Sequence, residues 1–173
     1  RRQRQMCIRD RHYGAPDITQ QGDYQVASLP VSPDAEGRAL PASASFMALD
    51  KNGGAVICVT SMNNLFGTGR IAPGTGILLA ASPRTAPTPD LAAEMAYTSG
   101  NDAFRAAATG TGQNAAAAAA RIGLDNALSG KNAPIPAPGR ANIISCPNNV
   151  PGGEASCRAS TAPGAHGLAI GGR

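Results

Sequence analysis

Residues able to hold a metal ion are scarce in this sequence. His12 and His166 stand far apart, and none of the four cysteines lies at a spacing that suggests a zinc site. No metal or other cofactor is expected. Long apolar runs are missing too: nothing approaches the roughly 20 consecutive apolar residues of a membrane span, so no span is expected. An excess of charge is the third absence. The chain holds 15 basic and 11 acidic residues, a net +4, but residues 1–11, RRQRQMCIRDR, contribute five Arg and one Asp and leave ten of each sign in the remainder. The basic balance therefore belongs to one short tail and does not point to nucleic acid or a membrane surface. That tail reads as read-through of a sequencing adapter rather than a genuine basic tail, and it is set aside from fold reasoning.

What is present concentrates in residues 41–79. Phe46, Met47, Ala48 and Leu49 form a short apolar run, residues 50–54 (DKNGG) a turn, and residues 55–60 (AVICVT) a second run rich in β-branched residues. Two such runs around an Asn-Gly step predict a hairpin. Asn63, Asn64, then Gly67, Gly69, Gly74 and Gly76 predict a loop in which backbone amides can approach a ligand or each other closely.

The string DKNGGAV, continued by TSMNNLFGTGRIAPGTGILL, resembles the small subunit of the γ-glutamyltranspeptidase family. In that family the nucleophile lies seven residues before the Asp of the hairpin turn, a position held here by Ser43. The resemblance is strong to Leu79 and weaker beyond it. Residues 108–113 (ATGTGQ) fall where the family has a second Gly-rich loop, and residues 159–169 where it has a closing strand. It implies an α+β fold: the small-subunit half of an αββα N-terminal-nucleophile hydrolase sandwich, over residues 43–173. Residues 12–42, with Pro16, Pro30, Pro33 and Pro41 and poor periodicity, are then the end of a large subunit, an exposed and flexible processing linker.

The mechanism implied is self-processing. A precursor cuts itself between Ala42 and Ser43, and the freed α-amino group, with a pKa near 7.7–8.0, suits general-base work at neutral pH. One residue then supplies the attacking hydroxyl and the base that activates it, and water or an amine resolves the acyl-enzyme. The plain alternative is an ordinary Ser at a strand entry, and Ser45 is the nearby rival. Ser61 and Asn63 fall where the family orients its nucleophile, or else cap a strand end. Gly110, Thr111 and Gly112 fall on the loop whose amides face the developing oxyanion, or else form the first turn of a helix that starts at Gln113; helix N-termini also bind anions.

The sequence departs from the family in the substrate region. Members acting on γ-glutamyl groups carry an acidic pair soon after the GILL run; residues 80–85 (AASPRT) hold no acid, and Ala92 and Ala93 stand where a Ser pair is usual. An ammonium without its carboxylate partner in a closed pocket is costly, which argues against glutathione and for another small-molecule amide or peptide. Asp90 and Glu94 are the acids near enough to substitute, with no specific reason to expect it. Two further readings stay open: a non-catalytic structural or binding relative, and an acylase-like amidase.

The rest is read coarsely. Residues 91–97 and 103–109 are expected as paired strands around a turn at 99–102, although their alanines also permit helix. Residues 113–128 are the clearest helix, packed closely on the sheet and ended by Ser129 and Gly130. Residues 132–139 are a Pro-rich loop, and 141–146 with 157–161 a final hairpin. Cys58 reads as a buried small hydrophobe. Cys146 and Cys157 are placed to pair across the hairpin, which would fit a periplasmic or secreted protein, or else are two free thiols. About 130 residues of half a sandwich leave apolar faces uncovered, so the missing large subunit of the same precursor is the expected partner and the chain alone is expected to be unstable or to aggregate. Any export signal is expected upstream of residue 1.

Overall fold

The computed structural model describes residues 17–21, 24–28, 43–63, 66–82, 91–112, 115–163 and 167–171. They form two antiparallel sheets and one helix, an α+β fold with more strand than helix. Strands β1 (Asp17–Gln21), β2 (Tyr24–Ser28), β5 (Ala92–Thr98), β6 (Phe104–Thr111), β7 (Arg140–Val150) and β8 (Arg158–Thr161) make a six-stranded sheet in the order β1-β2-β5-β6-β7-β8. Strands β3 (Ser43–Leu49) and β4 (Ala55–Ser61) form a separate hairpin. Helix α1 (Ala116–Ser129) joins β6 to β7.

The hairpin forms where the turn residues require it. Asp50 Oδ1 accepts the amides of Asn52 (2.7 Å) and Gly54 (2.9 Å), and the Asp50 amide donates to the Gly54 carbonyl at 2.9 Å. Gly53, at φ +81°, sits so close to the main sheet that a Cβ there would lie 2.6 Å from the Val150 carbonyl oxygen. Side chains then alternate along β3: Ser43, Ser45, Met47 and Leu49 are half-buried and Ala44, Phe46 and Ala48 exposed, the period-two pattern of a strand with one covered face. The covered face packs on the six-stranded sheet. Met47, Leu49, Ile57 and Val59 meet Ala93, Met95, Tyr97, Phe104, Ala107, Cys146 and Val150, and Tyr97 and Phe104 stack edge to face with centroids 5.6 Å apart.

The opposite face of the main sheet takes the helix. Ala96, Ala106 and Ala108 receive Leu124 and Ala127, while Ala92 receives Ala116 and Ala120. Small residues on both surfaces allow a close approach, and a Cβ added at Gly123 would lie 3.2 Å from the Ala141 side chain. The alanines that leave 91–97 and 103–109 ambiguous between helix and strand are thus explained. β5 and β6 are central strands covered on both faces, where bulk is excluded and burial decides the conformation. The helix ends at Gly130, φ +69°, whose amide donates to the Asn126 carbonyl.

Three expectations need correction. The stretch 12–42 is not wholly irregular: β1 and β2 pair with each other and β2 pairs with β5, so tertiary pairing overrides weak periodicity. The helix is described over Ala116–Ser129, its expected start at Gln113 lying outside the described residues, and Gly110 and Thr111 belong to β6, so the loop after β6 starts at Gly112. The closing strand ends at Thr161; residues 167–171 are irregular, with Leu168 exposed. The final hairpin is present, and a disulfide joins Cys146 and Cys157 across it, one step beyond the Ser145–Arg158 pair. The N-terminal tail and the Ala42 side of the Ala42-Ser43 bond lie outside the described residues, as do Asn64, Asp90, Gln113 and His166.

Candidate functional site

Ser43 opens β3 and stands directly opposite Ser61, the last residue of β4. Opposite residues in an antiparallel pair share a face with Cβ atoms about 4.5–5.5 Å apart, so the two hydroxyl-bearing side chains are neighbours. Both are half-buried, facing the main sheet. Just past β4, Asn63 takes a left-handed conformation (φ +57°) that Asn tolerates, and it is 8% exposed. Its amide N–H donates to Ser61 Oγ at 2.9 Å, and its Nδ2 donates to the Ala81 carbonyl at 2.8 Å. Asn63 therefore orients Ser61 through its backbone and anchors the far end of the glycine loop through its side chain. That loop is a small hairpin of its own: the amides of Thr68, Ala72 and Leu79 donate to Leu79, Ile77 and Arg70, and Ile71 bridges Leu78.

The second glycine segment lies at the same end of the sheets. Ser45, two residues after Ser43, reaches Thr109 of β6 (Oγ–Oγ1 2.7 Å) and accepts from Asn142 Nδ2 of β7 at 3.0 Å. At the opposite end of β3, the hairpin turn brings Gly53 against the carbonyl of Val150, the register partner of Phe104. By this alignment Ser43 lies over the next step of the main sheet, where Thr111 pairs with Arg140. Gly110 and Gly112 are there for steric reasons. A Cβ at Gly110 would collide with the Ala116 carbonyl of α1; one at Gly112, φ +111°, would collide with the Pro138 carbonyl. The N-terminus of α1 thus abuts the end of β6 that carries Gly110.

The structure brings Ser43, Ser61 and Asn63 to one end of the β3–β4 hairpin; on β6, Thr111 lies two residues beyond the Thr109 that Ser45 touches, while Gly110 between them faces α1. It does not bring Glu94 there. Glu94 alternates with Ala93 and Met95 of the inter-sheet core and faces α1, where its carboxylate lies 3.8 Å from Arg121. Burial holds its pKa above the ordinary carboxyl value, opposed by Arg121 and aided by Asp125. Ala93 faces the inter-sheet core, so its position offers apolar surface. The Ser45, Thr109 and Asn142 cluster was not legible in sequence as a unit, because Thr109 and Asn142 meet only through the β6–β7 register. No helix among the described residues is long and apolar enough to cross a membrane. Comparisons with protein-family models, curated proteins and solved structures find no match.

Proposed function

We propose that the chain is the small-subunit region of a self-processing N-terminal-Ser amide hydrolase or acyltransferase, resembling γ-glutamyltranspeptidase and acting through Ser43. The observation carrying this reading is the placement of Ser43 at the head of a strand, paired with Ser61, at the end of the sheets where β6 runs into Gly110 and Gly112. Self-cleavage of the Ala42-Ser43 bond frees an amine on the residue that bears the hydroxyl. The amine takes the hydroxyl proton as the oxygen attacks a substrate amide carbonyl. Amides at the Gly110–Gly112 segment stabilise the tetrahedral oxyanion, and the proton passes to the departing amine. Water or an acceptor amine then releases the acyl group from Ser43.

The α layer and the two sheets are compatible with the small-subunit half of an αββα sandwich, and a large subunit of the same precursor would cover the exposed outer face of β3. The substrate is an amide or peptide without a γ-glutamyl head, because Ala92 and Ala93 are buried alanines and Glu94 faces the helix. Ser45 is the weaker nucleophile candidate, since its hydroxyl is already held by Thr109 and Asn142. Export to an oxidising compartment agrees with the Cys146–Cys157 disulfide.

Mass spectrometry of the full precursor produced in a bacterium tests the reading. A fragment beginning at Ser43, abolished by Ser43→Ala, is the expected result. An intact precursor with the wild-type serine would instead support a non-catalytic relative, and a fragment beginning at Ser45 would move the nucleophile. On a panel of amides the processed protein is expected to cleave non-γ-glutamyl members preferentially.

A further inference from the structure

Apolar packing between two sheets is non-directional and leaves a hairpin free to slide by fractions of an ångström. At one point this interface is directional. Ser45 Oγ lies 2.7 Å from Thr109 Oγ1, and Asn142 Nδ2 donates both to Ser45 Oγ (3.0 Å) and to the Ser45 carbonyl (3.3 Å). Thr109 is fully buried, 0% exposed, and is the register partner of Asn142. Sliding β3 along the sheet would leave the fully buried Thr109 hydroxyl and the half-buried Asn142 amide without these partners, which is unfavourable.

The offsets give this clamp its meaning. Ser43 lies two residues from Ser45 along β3, and Thr111 two residues from Thr109 along β6, each step of two being about 6.5 Å of strand. Fixing Ser45 against Thr109 therefore fixes Ser43 against the Gly110–Gly112 segment. We infer that Ser45, Thr109 and Asn142 are positioning residues that hold the nucleophile strand in register with the oxyanion segment. The inference rests on the assignment of Ser43 as nucleophile. It also gives Ser45 a role other than nucleophile: its hydroxyl is a tether.

The test compares self-cleavage rates, melting temperatures and, for processed protein, kcat and KM on the best amide of the panel, all in the full precursor. Thr109→Val keeps the shape and removes the hydroxyl; Thr109→Ser keeps the hydroxyl. Misplacing reacting groups by an ångström costs up to about a hundredfold, so Thr109→Val is expected to slow self-cleavage and kcat about ten- to a hundredfold with KM nearly unchanged. Thr109→Ser is expected to recover most of the rate, and Asn142→Leu and Ser45→Ala to behave like Thr109→Val, the fragment still beginning at Ser43. The inference is overturned if Thr109→Val cleaves at the wild-type rate, or if Thr109→Ser is as slow as Thr109→Val. It is equally overturned if rate falls only in proportion to folded protein across the Thr109, Asn142 and Ser45 variants. A wild-type precursor that never cuts itself removes the Ser43 assignment and this inference with it, whereas normal cutting in every variant removes the clamp alone.

Discussion

Glu94 shows how far one residue's role depends on which face of a strand it occupies. In sequence it is an acid near the substrate region; in the fold it is a side chain 13% exposed, under α1, beside Arg121. Its pKa is raised from the ordinary 4.5, with burial the largest cause. The sign follows from linkage: the folded state favours the protonated form. Its stabilising contribution is complete below the unfolded value and is lost as pH rises through the raised folded value. The Arg121 pair offsets only part of this, because Arg121 is 46% exposed and its pairing is screened by solvent. Glu94→Gln is therefore expected to flatten the stability profile. Denaturant titrations at about pH 4 and about pH 8 should show wild type losing stability relative to the variant as pH rises, by the difference in proton binding between states. A gap that stays constant, or that closes in the opposite sense, would remove the buried-carboxyl reading.

Among the elements, the β7–β8 hairpin depends most on one covalent bond. β8 is a short edge strand, Arg158–Thr161, with its first three residues exposed, and it joins the core mainly through Cys157 beside buried Cys146. A disulfide closing a loop of this size contributes about 2–4 kcal/mol, so Cys157→Ala should lower the melting temperature by roughly 5–15 °C. Reductant should shift wild type by a similar amount and leave the variant unmoved; equal melting of both proteins without reductant would contradict this. That hairpin was legible from its spacing, as were β3–β4 from the DKNGG turn and α1 from its alanines and Gly130. Alternation, turn chemistry and capping are local, and local signals survive in a single sequence. The pairing of β1 and β2 onto β5 was not legible, because it is settled between segments more than sixty residues apart. Nor was the Ser45 cluster, for the same reason: three common polar residues acquire meaning only when two sheets meet.

At the scale of the whole molecule, one surface stands out as unfinished. The outer face of β3 exposes Phe46 (59%), and the neighbouring glycine loop exposes Phe66, Ile71 (62%) and Ile77 (63%), each large and apolar. The inner face of the same hairpin is packed and Cys58 on the outer face of β4 is buried, so among the described residues of the hairpin and glycine loop the exposed apolar surface lies on the outer face of β3 and on the loop. Single exposed apolar residues are ordinary; several on adjoining elements mark a surface that another layer covers or that drives association. The 173-residue chain produced alone is expected to elute as aggregates in size-exclusion chromatography and to bind a hydrophobic dye. Phe46→Lys with Ile77→Lys should raise its monomeric fraction severalfold, since the side chains at these positions contribute little to the inter-sheet core. Under the proposed reading, a large subunit laid on this face should give the same gain without either substitution, because a covering layer removes apolar area that lysines merely interrupt. A wild-type chain that is monomeric, dye-negative and cooperative on melting would show that this face is finished as it stands, and would count against a large subunit as its cover.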